Sequence, residues 1–163
     1  MKMLFLMRHA KSSWDDASLS DFERPLNERG LRTAPFMGEL MHQKAFRPSI
    51  ILSSPAMRAK QTTELVKEAS GLAVGIKFDR HIYEASPQAL RQVIAELDDA
   101  FTSTMLVGHN PGIEGFIRFL TGQIEPMPTA ALAVIELDIE NWKDIDHGCG
   151  VLKNVFRPRD EMR

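Results

Sequence analysis

The chain has 163 residues, of which 44% are hydrophobic and 26% are charged, and its formal net charge is −2 at pH 7. A chain of this length fits one domain that can bury roughly 70% of its unfolded surface. We therefore expect a single domain over residues 1–163. The small net charge gives no reason to expect a nucleic acid or a membrane as the main partner.

The N-terminus and the cysteine content favour a cytoplasmic protein. Only about five apolar residues precede Arg8, fewer than the apolar core of a signal peptide contains. No stretch approaches the ~18 consecutive apolar residues that cross a bilayer. The single cysteine, Cys149, excludes an internal disulfide and is compatible with a reducing compartment. We expect a cytoplasmic monomer or weak dimer.

Short apolar runs alternate with helical patterns along the chain. Strands are predicted at residues 3–7, 50–52, 74–78, 104–107, 130–137 and 151–156. Helices are predicted at residues 27–43, 54–70 and 86–97, with Asn27, Ser54 and Ser86 as their caps, and directly after Pro111. This alternation predicts an α/β fold of three layers, a mostly parallel sheet with helices on both faces. The last two strands could pair as an antiparallel edge.

Three of these strands end in polar residues that could bind an anion. The first ends at Arg8 and His9, the second at 53–55 with Arg58 close behind, and the fourth at 108–111, which contains His109. Ligands of such sheets lie at the carboxyl ends of the strands. If the strands are neighbours, two arginines, two histidines and two helix N-termini converge in a site that suits phosphate.

Each of these features has an ordinary explanation when it is taken alone. An arginine after a strand is usually a solvated flank, a histidine there is usually a satisfied polar residue, and Ser-Pro is a common helix start. Their coincidence at three strand ends favours the anion site. The guanidinium of Arg8 beside His9 argues against a metal centre, and we expect neither a metal nor a cofactor. Glycine-rich nucleotide-binding motifs are missing, and Val155 stands where a cysteine phosphatase would place its arginine after Cys149.

At this point the motifs match a known family. "RHA" at 8–10, "DFERPLNERG" at 21–30, "SSPAMRAKQT" at 53–62 and "VGHNPG" at 107–112 follow one another in order. Together they resemble the histidine phosphatase superfamily, whose fold is called phosphoglycerate mutase-like. The small size, "RHAKSSW", and "PTAALAVIEL" at 128–137 look most like the SixA-type phosphohistidine phosphatases. The sequence departs from the family's usual Arg-His-Gly triplet at Ala10, a change that we expect to be tolerated.

The resemblance implies a mechanism in which His9 attacks phosphorus and forms a covalent phosphohistidine intermediate. For this His9 must be neutral and must hold one tautomer, most simply by donating its other N–H to a backbone carbonyl. Arg8, Arg58 and His109 would bind the phosphate oxygens and stabilise the charge that develops. Glu84 falls where many members place their proton donor, but a solvated loop glutamate explains it equally well.

Lys11 and Ser12 could line the entrance to the site and bind substrate, although a solvated loop explains them equally well. The favoured function is hydrolysis of phosphohistidine on proteins. A phosphatase of small phosphate monoesters is the nearest alternative, and a non-catalytic phosphate-binding module is an alternative of another class.

Overall fold

The computed structural model describes residues 1–162 as a three-layer α/β fold. Its strands are β1 (Lys2–Arg8), β2 (Ile50–Ser53), β3 (Ile76–Phe78), β4 (Ser103–Gly108), β5 (Leu132–Leu137) and β6 (Gly150–Phe156). Its helices are α1 (Glu28–Gln43), α2 (Met57–Ser70), α3 (Pro87–Ala95), α4 (Gly112–Thr121) and the short α5 (Pro158–Glu161). Short 3-10 turns lie at Asp21–Glu23, Arg80–Ile82 and Trp142–Asp144.

The six strands form one sheet in the order β3-β2-β4-β1-β5-β6. The strands β1, β2, β3 and β4 are parallel to their neighbours within this group. β5 is antiparallel to both β1 and β6. The predicted fold class is confirmed, and so is the pairing of the last two strands. β6 forms the edge, whereas β5 lies inside the sheet.

The hydrophobic core has two parts, one on each face of the sheet. Within β1, Leu4 and Leu6 pack on the face covered by α3 and α4, while Phe5 and Met7 pack on the face covered by α1 and α2. Successive side chains of a strand point to opposite faces, so a run buried at every position needs a layer on each side. This explains the continuous apolar run at the start of the sequence.

The predicted start of α2 was wrong by two residues. The helix begins at Met57 after Ala56, and the hydroxyl of Ser54 does not cap it. Ser54 Oγ instead accepts a hydrogen bond from the N–H of Ala56 and contacts a ring nitrogen of His109. α4 begins at Gly112, directly after Pro111 as predicted. The strands at 74–78 and 130–137 and the helix at 86–97 are shorter than predicted, since they are observed at Ile76–Phe78, Leu132–Leu137 and Pro87–Ala95.

No helix within residues 1–162 is both long enough and apolar enough to cross a membrane. The cytoplasmic location stays a prediction.

Candidate active site

The three polar strand ends are adjacent in the sheet. β4 lies between β1 and β2, with Arg8 level with Gly108 and Ser53 level with Val107. The backbone continues this pairing beyond the strands, because the N–H of His9 donates to the carbonyl of Gly108 at 3.0 Å. The site residues predicted from the sequence thus lie at or after the ends of neighbouring strands, at the carboxyl edge of the sheet. They are Arg8, His9, Arg58 and His109.

His9 is buried and held in one orientation. Its Nδ1 lies 2.7 Å from the carbonyl oxygen of Ala10. A carbonyl only accepts, so Nδ1 carries the proton and Nε2 keeps its lone pair. Burial, followed by the charges of Arg58, Arg8 and Arg24, lowers the pKa of His9 to about 4. At neutral pH the ring is therefore an uncharged imidazole with a free nucleophilic nitrogen.

His109 lies against His9, with 5.0 Å between the ring centroids. Burial, then the neighbouring His9 and Arg58, lowers the pKa of His109 to about 3. Ser54 Oγ lies 2.7 Å from His109 Nε2 and already accepts from a backbone N–H, so its own hydrogen is available to Nε2. The neutral ring then carries its proton on Nδ1, which is buried and has no hydrogen-bond partner among the described residues.

Arg58 is oriented by Asp21, a residue that the sequence reasoning did not single out. Arg58 Nη1 donates to the backbone carbonyl of Asp21 at 2.6 Å, and Nη2 donates to its carboxylate at 3.0 Å. Tyr83 donates its hydroxyl to the same carboxylate oxygen at 2.6 Å. The hydrogen bond from Tyr83, then those from Arg58 and Arg24, hold the pKa of Asp21 well below its usual range. Asp21 is therefore an anion at neutral pH.

Arg24 is a second buried arginine, beside Arg58, and the sequence reasoning missed it. Its Nη2 donates to Asp21 at 3.1 Å and its Nη1 donates to Ser12 Oγ at 3.0 Å. The guanidinium also stacks on the indole of Trp14, 3.4 Å from the ring centroid. Asp21 and Arg24 both lie in the motif "DFERPLNERG" at 21–30. Charged residues inside a long loop are the sequence signal that could have identified them.

Ala10 fits its position without backbone strain. In residues 1–162 the non-glycine residues with positive φ are Ala45, Glu84 and Ala130, so Ala10 does not require the conformational freedom of glycine. Its side chain is fully buried, and its N–H donates to Thr62 Oγ1 at 2.9 Å. Thr62 in turn donates to the carbonyl of Arg58 at 2.7 Å. This threonine on α2 couples the segment after His9 to the turn of helix that carries Arg58.

Glu84 lies at the rim of a cavity of about 530 Å³ that Asp21, Arg58 and His109 also line. Its side chain is exposed, and its backbone is left-handed with a φ of 53°. Such a conformation costs a residue with a side chain roughly 1–2 kcal/mol, and strain of this kind concentrates at functional sites. The preceding Tyr83 contacts His109 edge to face, with 5.4 Å between ring centroids.

Ser12 and Lys11, which were predicted to line the entrance to the site, lie in different environments. Ser12 is buried, and its hydroxyl accepts the hydrogen bond from Arg24. Lys11 is exposed, while its backbone carbonyl accepts the N–H of Asn27 at 2.9 Å. The start of α1 is therefore attached directly to the segment that follows His9.

A family model described as the histidine phosphatase superfamily (branch 1) matches residues 4–106, which is more than half of the chain. The chain belongs to this superfamily. This histidine phosphatase is 30% identical to an uncharacterized protein of Mycobacterium tuberculosis, over 94% of this chain and 100% of that protein. It is 28% identical to the phosphohistidine phosphatase SixA of Escherichia coli, over 83% of this chain and 85% of the relative.

Solved structures show the same fold. A crystal structure from Agrobacterium tumefaciens, provisionally assigned as phosphohistidine phosphatase SixA, superposes with a TM-score of 0.83 at 30% identity, covering 96% of this chain and 98% of the other. A protein histidine phosphatase SixA complexed with tungstate superposes with a TM-score of 0.84 at 22% identity, covering 97% and 98%. The resemblance to the histidine phosphatase superfamily, which was inferred from the sequence motifs, is confirmed. This histidine phosphatase has the fold of its SixA neighbours.

Proposed function

We propose that this histidine phosphatase hydrolyses phosphohistidine on proteins, with His9 as the nucleophile. The observation that carries the proposal is the neutral, oriented His9 imidazole, whose Nδ1 is engaged by the carbonyl of Ala10 and whose Nε2 is free. The ring nitrogen attacks phosphorus, the substrate imidazole leaves with the electron pair of the P–N bond, and water then cleaves the phosphoryl group from His9.

The surrounding donors suit the charge of a phosphoryl group. The Nε atoms of Arg8, Arg24 and Arg58 and the Nδ1 of His109 are all buried, and none has a hydrogen-bond partner among residues 1–162. Buried donors are normally paired, and Arg58 and His109 line one cavity in which the oxygens of a phosphoryl group would supply acceptors. Phosphoryl transfer needs mostly positioning and electrostatic stabilisation, so these groups form a sufficient set.

Two arguments favour phosphohistidine as the substrate: the name of a relative, and how much protonation the leaving group requires from a general acid. The curated relative from E. coli is named a phosphohistidine phosphatase. An imidazole leaving group requires less protonation than an alkoxide, so an exposed proton donor such as Glu84 is adequate. For a phosphate monoester, by contrast, Glu84 would have to protonate the leaving oxygen.

The test compares kcat/KM for a phosphohistidine peptide, a phosphoserine peptide and p-nitrophenyl phosphate. We expect the phosphohistidine peptide to be preferred over the phosphoserine peptide. His9→Ala should lower turnover of every substrate by at least ~1,000-fold, because removal of a nucleophile abolishes the covalent route. His147→Ala, a change at an exposed histidine remote from the site, should retain parental activity.

The outcomes separate the alternatives. A preference for the small ester would replace the phosphohistidine assignment with a small-molecule phosphatase and keep the mechanism. Unchanged activity in His9→Ala would contradict the nucleophile assignment. An inactive parent protein that still binds phosphate would favour the non-catalytic binding module.

A further inference from the structure

Two adjoining depressions flank the site on the side of α1, away from the cavity beside His109. The first, of about 630 Å³, is lined by Arg8, Arg29 and Arg159 among others. The second, of about 690 Å³, is lined by Lys11, Trp14, Arg29 and Arg32 among others. Arg29 belongs to both, and Arg8 connects the first to the catalytic residues. We call the surface formed by Lys11, Arg29, Arg32 and Arg159 the basic groove.

The positive charges of the basic groove are not neutralised within the described part of the chain. All four side chains belong to exposed residues, and in residues 1–162 none of them forms an ion pair within 4.0 Å. Within residues 1–162, a protein with a formal net charge of −2 thus presents four cations without an ion pair beside its candidate active site. Such a local excess attracts and orients acidic partners.

The acidic residues that line the depressions are Asp15, Glu28, Glu114 and Asp160. Glu114 is already engaged, since its carboxylate accepts from the side chain of Asn110 and from the N–H of Met127. Asp160 also has an interaction of its own. Asp15 and Glu28 are exposed carboxylates at the second depression, and they reduce the positive charge of the groove without cancelling it.

An exposed aromatic side chain lies next to this charge. Trp14 is 72% exposed and rests on the buried guanidinium of Arg24, 3.4 Å from its ring centroid. Tryptophan and arginine are the side chains most enriched at the centres of protein interfaces. An exposed indole held by a buried arginine is a rigid contact that costs little entropy when a partner covers it.

We propose that the basic groove binds an acidic segment of the phosphorylated substrate protein, with Trp14 packing against it, while the phosphoryl group reaches His9. This inference rests on the proposed function and adds the chemistry of the partner. The charge of the groove selects acidic surfaces, and its continuity with Arg8 places such a surface next to the phosphoryl site.

The test uses two synthetic phosphohistidine peptides of equal length, one flanked by Asp and Glu and one flanked by Asn and Gln. The parent protein should give a kcat/KM for the acidic peptide about five- to tenfold above that for the neutral one at low salt. The preference should shrink in 0.5 M NaCl, since exposed charges are screened. Arg29→Gln/Arg32→Gln should lose the preference while its turnover of the neutral peptide and of p-nitrophenyl phosphate is unchanged.

The matched control is Lys143→Gln/Lys153→Gln, which removes two exposed lysines outside the basic groove. It should keep the full preference for the acidic peptide. Equal turnover of both peptides by the parent, or an unchanged preference in the arginine variant, would overturn the inference while the proposed function stands. Turnover of p-nitrophenyl phosphate without turnover of either peptide would overturn the proposed function and the inference together.

Discussion

His9 and His109 lie 5.0 Å apart between ring centroids and share the same positive surroundings. Because burial lowers the pKa of His9 to about 4 and of His109 to about 3, both rings should be neutral at pH 6. Spectra of protein labelled with ¹⁵N at the histidines should show a neutral imidazole for each, with the proton on Nδ1. The signals of the two rings are assigned by their absence from the spectra of His9→Asn and His109→Asn. Chemical shifts typical of imidazolium at pH 6 would contradict the lowered pKa values.

Asp21 determines the orientation of Arg58 through two contacts and of Arg24 through one. Asp21→Asn keeps the size of the side chain but removes the charge. We expect kcat/KM to fall by roughly 10- to 100-fold, because the loss of one charged, positioning contact of this kind costs about 1.4–3 kcal/mol. Steady-state kinetics with p-nitrophenyl phosphate provides the measurement.

Tyr83→Phe is the matched control, since it removes one hydrogen bond to Asp21 and leaves all three contacts from Arg58 and Arg24. It should lower kcat/KM less than Asp21→Asn does. A larger effect from Tyr83→Phe would show that the phenol, whose pKa is raised to about 12 chiefly by burial and then by Asp21, has a role of its own.

Among the elements, α1 and the segment after β1 are in direct backbone contact. A Cβ added at Gly30 would lie within 2.5 Å of the carbonyl oxygen of Lys11, and neither backbone can yield easily. Gly30→Ala should therefore destabilise the protein by about 1–3 kcal/mol, a decrease in Tm of several degrees for a chain of this size. It should also lower kcat, because the displaced segment follows His9 and Ala10.

Gly75→Ala is the matched control for Gly30→Ala. A Cβ there meets nothing within 4 Å. Calorimetry should show a Tm close to that of the parent for Gly75→Ala. Equal Tm values for the two variants would show that the approach of α1 to Lys11 is not close enough to constrain the active-site segment.

For the molecule as a whole, the buried neutral histidines make stability depend on pH. An unfolded histidine has a pKa near 6.5, whereas the folded values are about 4 and about 3. Below pH 6.5 the unfolded chain binds protons that the native protein excludes, so the free energy of unfolding decreases as the pH falls towards 4. The loss is on the order of a few kcal/mol, at about 1.4 kcal/mol for each unit of pKa difference.

Guanidinium unfolding at pH 7.5, 6 and 4.5 measures this dependence. His9→Asn should lose less stability than the parent between pH 7.5 and 4.5, since it removes one of the two histidines that exclude a proton in the folded state. His147→Asn should follow the parent curve. An identical decrease in the parent and in His9→Asn would show that burial of the neutral His9 does not govern acid sensitivity.

The order of elements could be predicted from the sequence, and so could the position of Arg8, His9, Arg58 and His109 at the carboxyl edge of the sheet. Strand periodicity, caps and short polar strand ends are local patterns, so they can be read without knowledge of the contacts. Asn27 caps α1 and Ser86 caps α3 as predicted. The start of α2 could not be predicted in this way, because Ser54 is engaged by His109, a residue 55 positions away.

Only the tertiary structure decided which polar side chains surround His9 and Arg58. Asp21, Arg24 and Tyr83 belong to loops, and their roles depend on contacts with Arg58, Ser12 and each other that no local pattern encodes. By itself the sequence determined the α/β alternation and the placement of Arg8, His9, Arg58 and His109 at strand ends. The structure decided the protonation of His9 and His109, because their pKa values depend on burial and on charges brought together by the fold.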